Sequence, residues 1–458
     1  MMKILILGAG QVGASLARYL SKDTENEITI VDKDATNLAD IARHLDVKTI
    51  CGQASYPNIL EQAEIRTMDM VIAVTKSDEG NMLACQMAHT LYNVDKKIAR
   101  IRTAEYLYHD KLFSNWAIPI DFVITPEVLV TNFIKRMIEQ PGAEQIFEFD
   151  NGLMQLVETK AHAGTPIVGR PIKELHEHLP KTQMRIVIVY RNGQAIPAYG
   201  DTVIKDGDRV YFVTKKESIS QVLKEFRRLD RPYKNIIIAG GGLIGLSLAK
   251  FLEKNHHVRL IELNKQRVKK IADELENTLI LHGNASDQDL LTEEGIESTD
   301  LFLALTDSDE INVIVSILAK RLGAHKTVAL VKRNVYKDLA TQSDDVDMVV
   351  SPDQITTSGI LAHIRKGDTM MAHSLRQGKA EAIEVIVHGD QHHSDVVGKT
   401  IEEIGLPDSV VVASIVRGDE AIMASRTLMI EENDHVLLVL SDVSKIHQME
   451  ELFEGYFD

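Results

Sequence analysis

The chain reads as an α/β protein built in tandem: a parallel-sheet domain with helices on both faces, then a small β-rich α+β domain, and then both again. Three features of the 458-residue sequence give this reading. Gly8, Gly10 and Gly13 in ILILGAGQVG return 232 positions later as Gly240, Gly242 and Gly245 in IIIAGGGLIG. Around each copy, apolar runs of strand length alternate with helical patterns, the order that produces a parallel sheet covered on both sides. Beyond each such region lies a stretch of shorter runs with period-two alternation and tight-turn signals.

From Lys3 to Ile124 the strand-like runs are KILIL, ITIV, VKTIC, MVIAV, KKIARI and DFVI, with helical patterns starting at Gln11, Thr36 and Asn81. Residues 235–350 repeat that order. Six strands per unit match the larger of the two common doubly wound arrangements, the Rossmann type. Thr125-Pro126 and Ser351-Pro352 then place a hydroxyl at a helix N-cap and a proline at the first helical position, where its missing N–H is no loss. The helix after Pro126 carries Leu129, Val130, Phe133, Ile134, Met137 and Ile138 in one band until Pro141-Gly142 stops it. Such a band needs cover, either from its own domain or from a neighbour that the helix crosses. In the small regions MRIVIVY and DRVYFV correspond to SVVVASIV and DHVLLVL. Asn192-Gly193 after Arg191 marks a hairpin, Gly418-Asp419 after Arg417 takes the same place, and Val168-Gly169-Arg170 aligns with Val397-Gly398-Lys399. FRRLDRPYK, residues 226–234, is charged, broken by Pro232, and reads as the linker between halves. The expected division is therefore 1–125 and 229–350 for the Rossmann-like domains, 126–142 and 351–372 for the helices leaving them, and 143–228 and 373–458 for the small domains.

A chain of this length exceeds one hydrophobic core, so several domains of ordinary size are expected. The formal net charge of −16 argues against a sequence-independent grip on nucleic acid and against anionic lipid. Only Cys51 and Cys85 are present, and no secretory leader precedes the first strand, which points to a reducing cytosolic compartment. The longest apolar stretch, Ile236 to Leu252, is interrupted by Gly240, Gly241, Gly242, Ser247 and Lys250, so a strand, turn and helix explain it better than a membrane span.

The chemistry concentrates at the glycines. In GxGxxG the first glycine allows a tight turn, the second lets the backbone approach a pyrophosphate, and the third lets helix and strand pack closely. Gln11 and Val12, and in the repeat Leu243 and Ile244, complete the cradle at the start of a helix whose N–H groups attract phosphate. Asp32, 19 residues after Gly13 and next to Lys33, and Glu262, 17 after Gly245, suit the two ribose hydroxyls and disfavour a 2′-phosphate. NAD-type or adenine nucleotides are thereby preferred over NADP. Gln53, Ala54 and Ser55 follow the third strand as Asn284, Ala285 and Ser286 do in the repeat. Thr75, Asp78 and Asn81 sit where the fourth strand enters its helix, and Thr306, Asp309 and Asn312 repeat them; with Ser77 and Ser308 they also suit helix capping. Arg100 and Arg102 are placed to meet a terminal phosphate, or else are solvated arginines at a strand end. Their counterparts are Leu330 and Lys332, so the first half is expected to tolerate more phosphate charge, as in ATP or ADP, than the second.

The histidines His392-His393, His256-His257, His176 and His178 lack zinc-site spacing and read as solvated, the first two pairs in loops. Cys51 and Cys85 read as packed thiols. No set of residues presents itself as nucleophile, base and orienting acid.

Taken together, GAGQVG, VTKSDEGNMLACQ, IARIR, GGGLIG, LIELN, GNASD and LTDSDEIN resemble the RCK family, cytosolic domains that regulate potassium channels and transporters. The likeness covers essentially the whole chain. It implies binding of NAD or NADH and of ATP or ADP at the carboxyl edge of each sheet. It also implies a homotetrameric ring docked on a membrane-embedded potassium-conducting subunit, and so a cytoplasmic protein peripheral to the cell membrane. One departure concerns Gly52-Gln53 and Gly283-Asn284, where many members carry Gly-Asp; an amide offers donor and acceptor but removes a charge. The expected function is a non-enzymatic gating subunit. The rivals are an NAD-dependent oxidoreductase of a small soluble substrate and a structural ring with vacant clefts.

Overall fold

The computed structural model describes residues 2–21, 26–149, 152–196, 198–227, 232–342, 345–361, 363–364, 369–375 and 380–453. The first Rossmann-like region runs β1 (Met2–Leu7), α1 (Gln11–Leu20), β2 (Asn26–Asp32), α2 (Ala35–His44), β3 (Lys48–Cys51), α3 (Pro57–Gln62), β4 (Met70–Ala73), α4 (Asp78–Thr90), β5 (Lys96–Arg100), α5 (Ala104–Leu107), β6 (Phe122–Ile124) and α6 (Pro126–Glu139). The small region after it holds β7 (Gln145–Phe149), β8 (Met154–Lys160), α7 (Leu175–His178), β9 (Met184–Arg191), β10 (Gln194–Ile196), β11 (Arg209–Thr214) and α8 (Ile219–Phe226). The second half repeats both. It begins with β12 (Asn235–Ala239), α9 (Leu243–Leu252), β13 (His257–Glu262), α10 (Lys265–Ala272), β14 (Leu279–His282), α11 (Gln288–Glu293), β15 (Leu301–Ala304), α12 (Asp309–Arg321), β16 (Lys326–Leu330), α13 (Asn334–Gln342), β17 (Met348–Val350) and α14 (Pro352–Leu361). It ends with β18 (Thr369–Leu375), β19 (Ala380–Ile386), α15 (Ile401–Ile404), β20 (Val410–Arg417), β21 (Glu420–Met423), β22 (His435–Leu440) and α16 (Ile446–Phe453).

Both parallel sheets have the order 3-2-1-4-5-6: β3-β2-β1-β4-β5-β6 and β14-β13-β12-β15-β16-β17. The reversal between β1 and β4, and between β12 and β15, opens the crevice in which doubly wound sheets bind ligands. Apolar side chains on both faces explain the unbroken hydrophobic runs: Ile4, Leu5, Ile6 and Leu7 are all fully buried, and Leu5, Leu7, Val71 and Ala73 pack beneath α3 and α4. The small regions are five-stranded antiparallel sheets, β10-β9-β11-β8-β7 and β18-β19-β22-β20-β21. Asn192 and Gly193 both take positive φ in the β9–β10 turn, whereas only Gly418 does between β20 and β21, so the two hairpins close by different turn types.

The chain divides into two compact units that cut across the sequence repeat. One gathers Met1–Asn132 and Pro232–Ile360, the two Rossmann-like regions; the other gathers Phe133–Arg231 and Leu361–Asp458, the two small ones. Inside the first unit, a Cβ on Gly359 would lie 2.9 Å from Leu129 Cδ1, so the start of α6 packs on α14 of the other half. Inside the second, Phe149, Leu156, Val187 and Tyr211 share a core with Leu375, Ala382, Leu437 and Val439, so the two small sheets face each other.

Several sequence expectations need correction. Phe226 is not linker but the fully buried end of α8, and Tyr233 is buried as well; residues 228–231 of that segment lie outside the described residues, as do 362 and 365–368 of the second leaving helix. Cys51 is exposed rather than packed, because it is the last residue of β3 at the open edge of the sheet, whereas Cys85 is buried in α4. Burial raises the Cys85 thiol to about 12, which makes it inert. His257 opens β13 instead of lying in a loop. The fourth helix of the first sheet begins at Asp78, three residues before Asn81. Among the described residues no helix is long and apolar enough to cross a membrane.

Candidate functional site

Each crevice is built on a glycine turn that no other residue fits. Gly8 and Gly240 take φ of +113° and +106°, and an added Cβ would press on the main chain at Thr75 or at Leu305-Thr306. At Gly13 and Gly245 a Cβ would lie 1.8 and 2.0 Å from the carbonyl oxygens of Gly8 and Gly240, so helix and strand approach as closely as backbone allows. Gly10 and Gly242 have open space around them and serve as N-caps of α1 and α9 with no side chain of their own, which leaves the helix N–H groups turned to the crevice. Gln11 and Leu243 are exposed at the rim and Val12 and Ile244 half-buried beside them. Gln11 Nε2 donates to the main-chain oxygen of Lys332 at 3.2 Å, a contact from the first cradle to the second domain that Leu243 cannot reproduce.

The two acids hold the cradles in shape. Asp32 Oδ2 accepts from Ala9 N and Oδ1 from Asp34 N, at 2.5 and 2.8 Å. Glu262 does the same one methylene further out, accepting from Gly241 N and Asn264 N at 2.8 and 2.7 Å. Each oxygen keeps a second lone pair for a ribose hydroxyl. Lys33 is exposed next to Asp32. Arg267, which the motif does not indicate, donates from Nε to the Gly241 oxygen at 2.5 Å and puts a cation at this corner of the second crevice. A basic residue three positions after the N-cap Asn264 was the available signal.

Cys51 and His282 end β3 and β14 in register with Asp32 and Glu262. Beyond them Gln53 and Asn284 are exposed, Ala54 and Ala285 buried, and Ser55 and Ser286 half-buried. Asn284 Oδ1 is occupied by the N and Oγ of Ser286, at 3.0 and 2.8 Å. The Thr and Asn of the fourth strand form a matched device. Asn81 Oδ1 accepts from Thr75 N and Oγ1 at 3.1 and 2.6 Å, and Asn312 Oδ1 from Thr306 N and Oγ1 at 2.9 and 2.6 Å. Their Nδ2 groups donate to the oxygens of Arg100 and Leu330, both at 2.8 Å. Capping falls to Ser77 and Ser308 alone; buried Asp78 and Asp309 turn instead to the N–H groups of Arg102 and Lys332.

At the far end the crevices differ. Arg100 is half-buried with its Nε unpaired, and burial together with the neighbouring Arg102 pulls its guanidinium below the usual value. Arg102 reaches Glu127. In the second crevice Arg333 pairs with Glu310 and lies 4.6 Å over the Tyr336 ring. Glu310's own main-chain N–H, Arg333, Tyr336 and Ser308 hold its carboxyl down at about 2. Thus the structure gathers the predicted residues of each half along one sheet edge, from acid to glycine turn to Thr/Asn pair. Among the described residues no group of three or more His, Cys, Asp or Glu is placed to hold a metal ion.

A TrkA-N domain model matches residues 4–126 and 236–352, and a TrkA-C domain model matches 156–227 and 391–454. The Trk system potassium uptake protein TrkA of Halomonas elongata is 46% identical over 453 residues, 99% of either chain. The protein of that name from Vibrio alginolyticus is 45% identical over 454 residues, again 99% of each. Among solved structures, the GsuK RCK domain superposes with a TM-score of 0.61 at 18% identity, covering 99% of this chain and 95% of that one. The GsuK channel bound to NAD gives 0.60 at 17%, covering 99% and 78%. At such identities the likeness is one of fold.

Proposed function

The chain belongs to the TrkA family, and from that premise we propose that it is the regulatory subunit of a Trk-type potassium uptake system, binding NAD or NADH and ATP or ADP in its two crevices. The reading is carried by one observation: two complete glycine cradles stand in a chain whose full length matches proteins named for potassium uptake. Pyrophosphate rests on Gly8, Gly10, Gln11, Val12 and Gly13, or on Gly240, Gly242, Leu243, Ile244 and Gly245, at the positive end of α1 or α9. Asp32 and Glu262 take the ribose, with Lys33 and the residues after β3 and β14 toward the base. Thr75, Asp78 and Asn81, with their counterparts Thr306, Asp309 and Asn312, shape the floor. Arg100 and Arg102 give the first crevice the greater tolerance for terminal phosphate.

Ligand acts by differential affinity for two conformations of an assembly; one that binds both equally shifts nothing. Self-assembly into a homotetrameric ring is supported by apolar side chains left in solvent in both Rossmann-like regions. Leu83, Tyr108 and Trp116 are exposed in the first, the last two by about four-fifths, and Ile314, Val335 and Leu339 in the second. The ring lies in the cytoplasm against a membrane-embedded potassium-conducting subunit, and it is not an enzyme. Potassium flux through that subunit in reconstituted vesicles, with and without this chain and nucleotide, tests the assignment; indifference to both defeats it. Steady oxidation of NADH with small carbonyl substrates would favour the oxidoreductase instead.

A further inference from the structure

In the first half a charged contact joins the far end of the crevice to the helix that leaves the domain. Arg102 Nε donates to Glu127 Oε1 at 2.9 Å, and Glu127 is the second residue of α6. The turn carrying Arg102 is pinned from the other side, because the N–H groups of Arg102 and Thr103 both donate to Asp78 Oδ2, at 2.9 and 2.8 Å. Its side chain is 45% exposed and open to a ligand, while that of Glu127 is only 18% exposed. Two polar atoms of this cluster are buried without a hydrogen-bond partner, Arg100 Nε and Glu127 Oε2. One guanidinium, that of Arg102, pairs with the carboxylate, while Arg100 feels its charge without bonding to it and keeps an unused donor.

Among the described residues of the second half, no arginine at the end of the fifth strand pairs with the leaving helix. Leu330 and Lys332 replace the arginines, and Lys332 Nζ donates to the Asp307 oxygen at 3.2 Å. Asp353, which matches Glu127, accepts from Ser351 Oγ in its own turn at 2.5 Å. Arg333 is committed to Glu310 and Asp309 of α12. Neither Lys332 nor Arg333 reaches α14; the cation whose charge acts on Asp353 is Lys337 of α13.

We propose that Glu127 reads the terminal phosphate of a polyphosphate nucleotide in the first crevice and passes its presence to α6, and that the second crevice has no such read-out. The proposal rests on the assignment of the first crevice to nucleotide. Its physics is competition for one cation. Phosphate oxygens bind guanidinium at least as well as a carboxylate does, so a terminal phosphate on Arg100 and Arg102 draws Arg102 from Glu127. A mostly buried carboxylate stripped of its cation and faced with further negative charge is strongly unfavourable, and the first turn of α6 moves to relieve it. A dinucleotide whose phosphates stay on the glycine cradle leaves the pair alone.

Hydrogen exchange on the full-length protein with ATP, AMP or NADH tests this. ATP should change exchange in residues 126–132 and not in 352–361, and AMP and NADH should change neither. Glu127→Gln keeps a neutral acceptor for Arg102 and removes the charge. It should bind ATP about three- to ten-fold tighter and lose the α6 response, with NADH affinity unchanged as the check on folding. Equal responses of α6 and α14 to ATP, or a full α6 response in Glu127→Gln, overturn the proposal. ATP that binds without moving α6 sinks this inference alone; ATP that does not bind wild type at all sinks the crevice assignment and the inference with it.

Discussion

Replacing Asn81 by aspartate changes one nitrogen to oxygen in a fully buried side chain, and its cost follows from four hydrogen bonds. Oδ1 accepts from Thr75 N and Oγ1, and an aspartate oxygen would still do so. Nδ2 donates to the oxygens of Thr75 and Arg100 at 3.3 and 2.8 Å, and a carboxylate oxygen there would face two carbonyls. Two donated bonds are lost at about 1 kcal/mol each, and a charge is buried against acceptors, so the ends of β4 and β5 should open about 3–5 kcal/mol more easily at pH 7. Protonation restores one donor. The folded-state pKa of the new acid therefore lies above its unfolded value of about 3.9, and the favourable protonated contact is complete below that value and lost as pH rises through the folded pKa. The deficit should accordingly be smaller at pH 5 than at pH 7. Hydrogen exchange of residues 70–74 and 96–101 measures it locally, which suits a chain of several domains better than one global unfolding curve. Asn312→Asp is the internal comparison, since Nδ2 of Asn312 donates to the oxygens of Thr306 and Leu330 at 2.9 and 2.8 Å. Unchanged exchange at pH 7, or a deficit independent of pH, would refute the reasoning.

Gly13→Ala should abolish nucleotide binding in the first crevice and leave the second intact, because its Cβ would lie 1.8 Å from the Gly8 oxygen; calorimetric stoichiometry with NADH should fall by half. Asp434→Asn should destabilise the β20–β21 hairpin by about 2–4 kcal/mol, since the fully buried carboxylate holds Arg417 Nε and Nη2 at 2.8 and 2.9 Å. Asp208→Asn should act likewise on β9–β10, and hydrogen exchange of the two hairpins in both variants checks it. His373 packs against Phe147 and Phe149, and burial, then the charge of Arg136, lowers its imidazole to about 4. A folded-state pKa below the unfolded one stabilises the neutral form above about pH 6.5, and that stability is lost as pH falls toward 4. Exchange of β18 should accelerate across that window in wild type and not in His373→Leu.

The parallel sheets were legible because their signals are local and redundant. Glycine turns, continuous apolar runs such as Ile4 to Leu7, and a serine cap before each fourth helix all point the same way. The small sheets were half hidden. β8 and β19 lie inside five-stranded sheets, yet Gln155, Glu158, Glu381 and Glu384 are buried in them, so polar residues break the alternation that marks a strand. At the site the sequence located the acids and the Thr/Asn pair but not their bonds. That Asp78 turns to the strand-five loop rather than capping its helix depends on where Arg102 and Thr103 come to lie, 24 and 25 residues away. Arg102 with Glu127 is likewise a tertiary pairing with no spacing rule behind it.

Duplication lets one half serve as the control for the other. Where a change at one position is matched by a change at its neighbour, geometry has been kept. Glu262 is longer than Asp32 and still reaches the loop N–H, because Gly241 stands where the first half has Ala9; a Cβ there would lie 3.0 Å from Glu262 Oε2 and 2.3 Å from Ile271 Cδ1. The bond survives although both residues differ, which marks the acid-to-cradle link as part of the shape both crevices require. The far ends show no such compensation. Leu330 carries no charge in place of Arg100, and Asp353 bonds its own turn where Glu127 meets Arg102. On the proposed assignment, divergence without compensation is what two copies would show if they kept a common grip on the nucleoside end of a ligand and parted ways over its phosphates. On that argument the difference between the halves is chemical, and it lies at the end of the crevice nearest the helix that leaves the domain.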